Sequence, residues 1–176
     1  MTITETALTD AEPRSGEQRQ YLTFMLGTEQ FAIGILCVKE IIEYGHLTTV
    51  PMMPPSIRGV INLRGAVVPV IDLAARFGRQ AAPITRRTCI VIVEIQVDEE
   101  RLVVGVVVDA VNEVIDIGAQ DIEPPPSFGA RIRTDFILGM AKVNDRFVIL
   151  LNVDRVLAVY ELEQLDQLKE VVSPQL

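Results

Sequence analysis

At 176 residues and 49% apolar side chains, the chain can fill the core of one ordinary domain or two very small ones, and it is too apolar to be a disordered segment. Sixteen basic against 24 acidic residues leave a net charge of −8, which argues against nucleic acid as partner, because affinity for phosphate comes from clustered Lys and Arg. One His, two Cys and no Trp leave little material for metal or nucleophile chemistry.

Val and Ile number 41, nearly a quarter of the chain, and side chains branched at Cβ favour the pleated surface of strands. Residues 1–19 are polar, lack the basic-then-apolar pattern of a signal peptide, and read as a flexible tail. A first hairpin spans 21–26 and 30–36, turning at Gly27-Thr28-Glu29. Residues 38–42 have mixed periodicity and read as a short helical segment, followed by a proline-stiffened connector over 50–55, expected outside the sheets. The second hairpin, 57–63 with 66–71, turns at Arg64-Gly65, and Asp72 after it reads as a helix cap. The third, 88–95 with 102–108, turns around Asp98-Glu99-Glu100, an acidic cluster that lacks the spacing of a calcium loop. A second short helical segment over 111–115 and a second proline connector over 123–126 follow. The fourth hairpin, 137–143 with 146–151, turns at Asn144-Asp145, residues tolerant of positive φ. Val156, Leu157, Tyr160, Leu165, Leu168 and Val172 then fall on one face of a helix expected over about 154–172, with Asp154 as its cap. The longest apolar run, 102–108, is far short of the roughly 18 residues a membrane span needs.

The order of elements repeats. The run from Gly59 to Asp72 aligns without a gap on the run from Gly139 to Asn152, and Gly34, Glu40 and Pro51 find counterparts in Gly105, Glu113 and Pro124. Two copies, about 20–80 and about 86–155, imply a mostly β fold of two small barrels packed together. The copies differ at the second hairpin turn, where Arg64 places a long cation that a tight turn does not need. Arg64 is either a solvated turn residue or the partner of Glu40. Pro69 marks a strand edge or a bulge, and Gly59 and Gly139 share a need for close backbone approach. Cys37 and Cys89 sit in apolar runs and read as small core residues. His46 reads as a loop residue. No positioned acid, base and nucleophile set appears, so an enzyme is the weaker expectation.

The run Ile57-Arg58-Gly59-Val60-Ile61-Asn62-Leu63-Arg64-Gly65-Ala66-Val67-Val68-Pro69-Val70-Ile71-Asp72-Leu73 closely resembles the most recognisable segment of the CheW family of bacterial chemotaxis coupling proteins. The likeness extends to residues 31–42, 103–114 and 137–140, in the right order, and covers roughly 20–160. It implies two SH3-like five-stranded β-barrels with short helices and a C-terminal helix, no catalytic activity and no cofactor. It implies a cytoplasmic adaptor, recruited to receptor arrays at the inner face of the membrane without inserting into it. Its partners would be the cytoplasmic tip of chemoreceptors (methyl-accepting chemotaxis proteins) and the regulatory domain of the histidine kinase CheA. By the same resemblance, receptor contact falls on Val38, Glu40, Gly59, Arg64 and Ile90, and kinase contact on Phe128. Near Phe128 this chain departs from the family, with Glu123 and Ser127 where a basic and an acidic residue are usual. We expect Val38, Ile41 and Ile90 to line one apolar groove for a receptor helix. Two other readings keep the fold: an adaptor of a non-flagellar chemosensory-like pathway, and a small-ligand sensor using the cleft between barrels.

Overall fold

The computed structural model describes residues 18–53, 56–80, 83–97, 99–125 and 136–157. Ser127, Phe128, the tail before residue 18 and the expected helix beyond residue 157 lie outside the described residues. Eleven strands are described: β1 (Gln18–Leu26), β2 (Glu29–Gly34), β3 (Val38–Glu43), β4 (Ile57–Leu63), β5 (Ala66–Asp72), β6 (Cys89–Val97), β7 (Glu100–Val108), β8 (Ala110–Gly118), β9 (Ile122–Glu123), β10 (Ile137–Val143) and β11 (Arg146–Leu151). A single turn of helix, α1 (Leu73–Arg76), follows β5, and residues 153–157 form another after β11.

All four expected hairpins are present. The two segments expected to be short helices are strands instead. β3 pairs antiparallel with β6 and β8 with β1. The register shifts between Val38 and Glu40 in one pair, and between Leu22 and Phe24 in the other. Each shift is a β-bulge, and the extra residue of a bulge puts the alternation of side chains out of phase, which imitates mixed periodicity in the sequence.

The strands make two sheets with one order. Sheet A runs β8-β1-β2-β11-β10-β9 and sheet B runs β3-β6-β7-β5-β4. Each sheet therefore draws on both halves of the chain. The first hairpin, β1–β2, joins strands of the second half, and the third hairpin, β6–β7, joins strands of the first. The joins are short parallel seams: Val70↔Gly105, Ile71↔Val106 and Asp72↔Val107 in sheet B, and Ile149↔Phe31 and Leu150↔Ala32 in sheet A. Pro69 lies just before the sheet B seam begins, where a missing N–H breaks no ladder bond to β7.

Alternation along the strands sorts the core into three. Ile90, Ile92, Val70 and Val107 fill the inside of sheet B, and Tyr21, Ala32, Ile117, Ala141, Val148 and Leu150 fill sheet A. Between the sheets lies the largest cluster, where Leu22, Phe24, Phe31 and Ile33 meet Ile71, Val91, Val93, Ile95, Val104 and Val106. Each fully buried aliphatic side chain there contributes roughly 1.5–3 kcal/mol, so this shared layer is the main source of stability. Packing leaves a wholly apolar cavity of about 20 Å³ beside Phe24, Val93, Val106 and Leu157.

The duplication reaches single hydrogen bonds. Asp72 caps α1 by accepting from the Ala75 N–H at 3.1 Å, and Asn152, its counterpart, accepts from the Arg155 N–H at 3.3 Å. Asp154, expected to be that cap, instead accepts from the Gln96 N–H at 3.1 Å and so ties the last helical turn to β6. Cys37 is packed against the shared cluster and its thiol donates to the Gly34 carbonyl at 3.1 Å. Burial pushes that thiol up to about 12, with Asp154 adding to the effect, so at neutral pH it is no nucleophile.

Gly59 and Gly139 both sit at bulges, and both are needed as glycine. A Cβ on Gly59 would lie 2.3 Å from the Thr48 carbonyl oxygen, at a φ of +152°, and one on Gly139 would lie 2.7 Å from the Glu123 oxygen. Gly34 has extended backbone and open space around its Cα. Gly59→Ala is expected to cost about 2 kcal/mol or more, whereas Gly34→Ala leaves stability equal or about 0.5 kcal/mol higher. Urea unfolding of the two variants beside wild type checks both.

Candidate functional site

The ends of sheet B are β3 and β4, and one ion pair spans them. The β4–β5 hairpin turns on Arg64 and Gly65 at φ of 51° and 88°, matching Asn144 and Asp145 of the β10–β11 turn at 52° and 65°. Both are two-residue turns whose backbone follows the twist of the strands. Asn and Gly accept a left-handed φ readily, whereas other L-residues lose roughly 1–2 kcal/mol there, so Arg64 is held against its own preference. Its guanidinium forks the Glu40 carboxylate, with Nη1 donating to Oε1 at 2.6 Å and Nη2 to Oε2 at 3.0 Å.

The two partners are unequally placed. Arg64 leaves 73% of its side chain exposed and Glu40 only 29%. Two of the five guanidinium N–H donors can serve Glu40, and the others remain available to a partner. The hydrogen bond from Arg64 is the main reason that the Glu40 carboxyl titrates below its ordinary range, and the same bond raises Arg64. A carboxyl lowered in the folded chain stabilises above its unfolded midpoint and loses that contribution as pH falls through the lowered one. At neutral pH the fork is fully charged.

The structure brings Glu40 and Arg64 together as one of the two sequence readings has it, and it puts Ile41 and Val38 nearby. Val38 pairs with Val93 and packs against the shared cluster, whereas Ile41 pairs with Val91 on the same face of the sheet and stays 42% exposed. Ile90 does not join them. It pairs with Ile42 on the opposite face, is 1% exposed, and belongs to the inside of sheet B. One groove lined by Val38, Ile41 and Ile90 is therefore not formed, because adjacent positions on a strand face opposite ways. Ile90 instead helps floor an open depression between β3 and β4 with Ile42, Ile61 and Leu63. Gly59 lies against the Thr48 backbone through the close approach already described.

A second ion pair escaped sequence reasoning. Arg58 Nε donates to Asp72 Oδ2 at 2.8 Å, and Asp72 is nearly fully buried. The repeat held the signal: the counterparts of this Arg and Asp are Leu138 and Asn152, so both charges vanish together in the second copy. The counterpart of Glu40 also takes a different role. The backbone of Glu113 is bound on both sides by Thr23, whose hydroxyl donates to its carbonyl at 2.8 Å and accepts from its N–H at 3.1 Å. Among the described residues no three His, Cys, Asp or Glu gather as a metal site would require.

The CheW-like domain family matches residues 20–161. The chain is 34% identical over 148 residues to the chemotaxis protein CheW of Klebsiella aerogenes, covering 84% of this chain and 87% of that protein. It is also 34% identical over 145 residues to the CheW of Rhizobium meliloti, covering 82% and 91% respectively. The crystal structure of the scaffolding protein TtCheW from Thermoanaerobacter tengcongensis superposes with a TM-score of 0.71 at 34% identity, over 86% of this chain and 96% of that one.

Replacing Arg64 by the residue of the second turn separates fold from site. Arg64→Asn is expected to keep or raise stability, since the strain relieved is roughly 1 kcal/mol, while the Glu40 carboxyl moves up toward its ordinary range. Urea unfolding and carbon-13 titration of Glu40 read the two effects.

Proposed function

The chain belongs to the CheW-like domain family, whose members are non-enzymatic scaffolds, and on that premise we propose that it couples chemoreceptors to the histidine kinase CheA. The observation that carries the reading is the Glu40–Arg64 fork across the two edges of sheet B. Arg64 is the contact and Glu40 its holder. A guanidinium whose direction is fixed by a bidentate carboxylate offers its remaining donors to a partner helix at little further cost in side-chain entropy. Ile41, exposed next to Glu40 on the edge strand β3 but on its other face, supplies apolar surface, so a receptor helix packs along that edge while a polar residue of the helix meets Arg64. An exposed surface ion pair does little for stability, which agrees with a role in recognition.

The kinase contact falls on the second half, where Phe128 follows the Pro124-Pro125-Pro126 run as an aromatic anchor on a stiff connector. Glu123, exposed at the end of β9, adds a negative charge a few residues before Phe128 in the sequence. The protein works in the cytoplasm at the inner face of the membrane; no described helix is long and apolar enough to cross it. The ligand-sensor reading gains nothing from the space between the sheets, since about 20 Å³ of apolar cavity is smaller than any metabolite.

The test is retention of partners from a lysate containing chemoreceptors and a CheA-type kinase, with the purified chain as bait. Wild type retains both, Arg64→Glu and Ile41→Asp lose receptor at least tenfold, and both variants keep the kinase. Equal receptor retention by folded Arg64→Glu contradicts the assignment.

A further inference from the structure

A turn that asks a residue other than Gly, Asn or Asp to adopt a left-handed conformation needs support from outside its own backbone. At the β4–β5 turn that support is visible. The side-chain oxygen of Asn62 accepts from the Gly65 N–H at 3.0 Å, reaching over Arg64 to the far side of the turn. In a two-residue hairpin this N–H points away from the ladder and has no strand partner of its own. The acceptor therefore locks Gly65, and with it the φ of 51° at Arg64.

The second copy shows the same turn without that device. The residue matching Asn62 is Lys142, which has no acceptor to give, and the turn there is built from Asn144-Asp145, which need none. An acceptor at this strand position thus goes with Arg at the turn, and a cation at this position goes with residues that turn unaided.

We propose that Asn62 is a positioning residue for docking: by binding the Gly65 amide it holds Arg64 in the left-handed conformation from which the guanidinium reaches Glu40 on β3 and faces a partner. Asn62 need not touch the partner to act. Without the acceptor the turn relaxes, the guanidinium leaves the edge of β3, and Glu40 loses the donor pair that depresses its titration. The proposal rests on the reading of Arg64 as a receptor contact, and the experiment separates the two.

Three variants are compared with wild type: Asn62→Ala, Asn62→Lys as in the second copy, and Asn62→Asp, which keeps an acceptor oxygen. Each is measured by thermal unfolding, by carbon-13 titration of the Glu40 carboxyl, and by binding to a purified chemoreceptor cytoplasmic fragment. Asn62→Ala and Asn62→Lys are expected to unfold as a single cooperative species while the Glu40 midpoint rises toward its ordinary range. Receptor binding weakens about tenfold in both, and Asn62→Asp restores the midpoint and the binding. A Glu40 midpoint unmoved in folded Asn62→Ala overturns the positioning role. A midpoint that rises while receptor binding holds at the wild-type level overturns the docking role of Arg64 and leaves Asn62 as a turn support alone.

Discussion

The constraint on which this structure depends is that neither half of the chain completes a sheet without the other. β1–β2 stands between β8 and β11, and β6–β7 stands between β3 and β5. The seams that admit them are parallel and only two or three residue pairs long, so backbone hydrogen bonds alone hold them weakly. What holds them is the apolar layer between the sheets, to which both inserted hairpins contribute their outward faces. Long-range polar links reinforce this layer: Arg76 of α1 donates to the Val156 carbonyl at 3.1 Å and lies over the Phe136 ring at 5.2 Å, and Gln96 binds Asp154.

This frame fixes the distance between β3 and β4, the outermost strands of sheet B, and thereby makes a bridge between them possible. The two halves repeat strand order, bulged glycines and helix caps, because those serve the frame. They diverge where the frame makes no demand. Arg64 replaces Asn at a turn, Asn62 replaces Lys beside it, and Glu40 turns its carboxylate to a cation while Glu113 is engaged through its backbone. A strained residue at such a position, on the exposed edge of a rigid sheet, is not demanded by folding and agrees with the recognition role proposed for it.

Much of this was legible in the sequence. The four hairpins follow from β-branched runs and turn residues, the close approach at Gly59 and Gly139 follows from their matching places in the repeat, and Arg64 stood out because its turn did not need it. Other features were hidden for physical reasons. β3 and β8 carry bulges that break the period of two, so their pattern imitated helices. The insertion of each first hairpin into the opposite sheet leaves no trace, since an internal repeat has the same pattern whichever copy completes which sheet. The separation of Ile41 from Ile90 depends on register across the β3–β6 pair, which one strand's sequence does not encode. Asn152 lost the role of cap to Asp154 in sequence reasoning because both residues suit it, and only the frame shows that Asp154 is spent on Gln96.

The dependence of each sheet on the other half is tested most directly by differential scanning calorimetry of the intact chain. If the shared layer and the inserted hairpins make one unit, the protein unfolds in a single transition whose calorimetric and van't Hoff enthalpies agree. Two separable transitions, or a calorimetric enthalpy about twice the van't Hoff value, would mean that the sheets melt independently and would contradict the account.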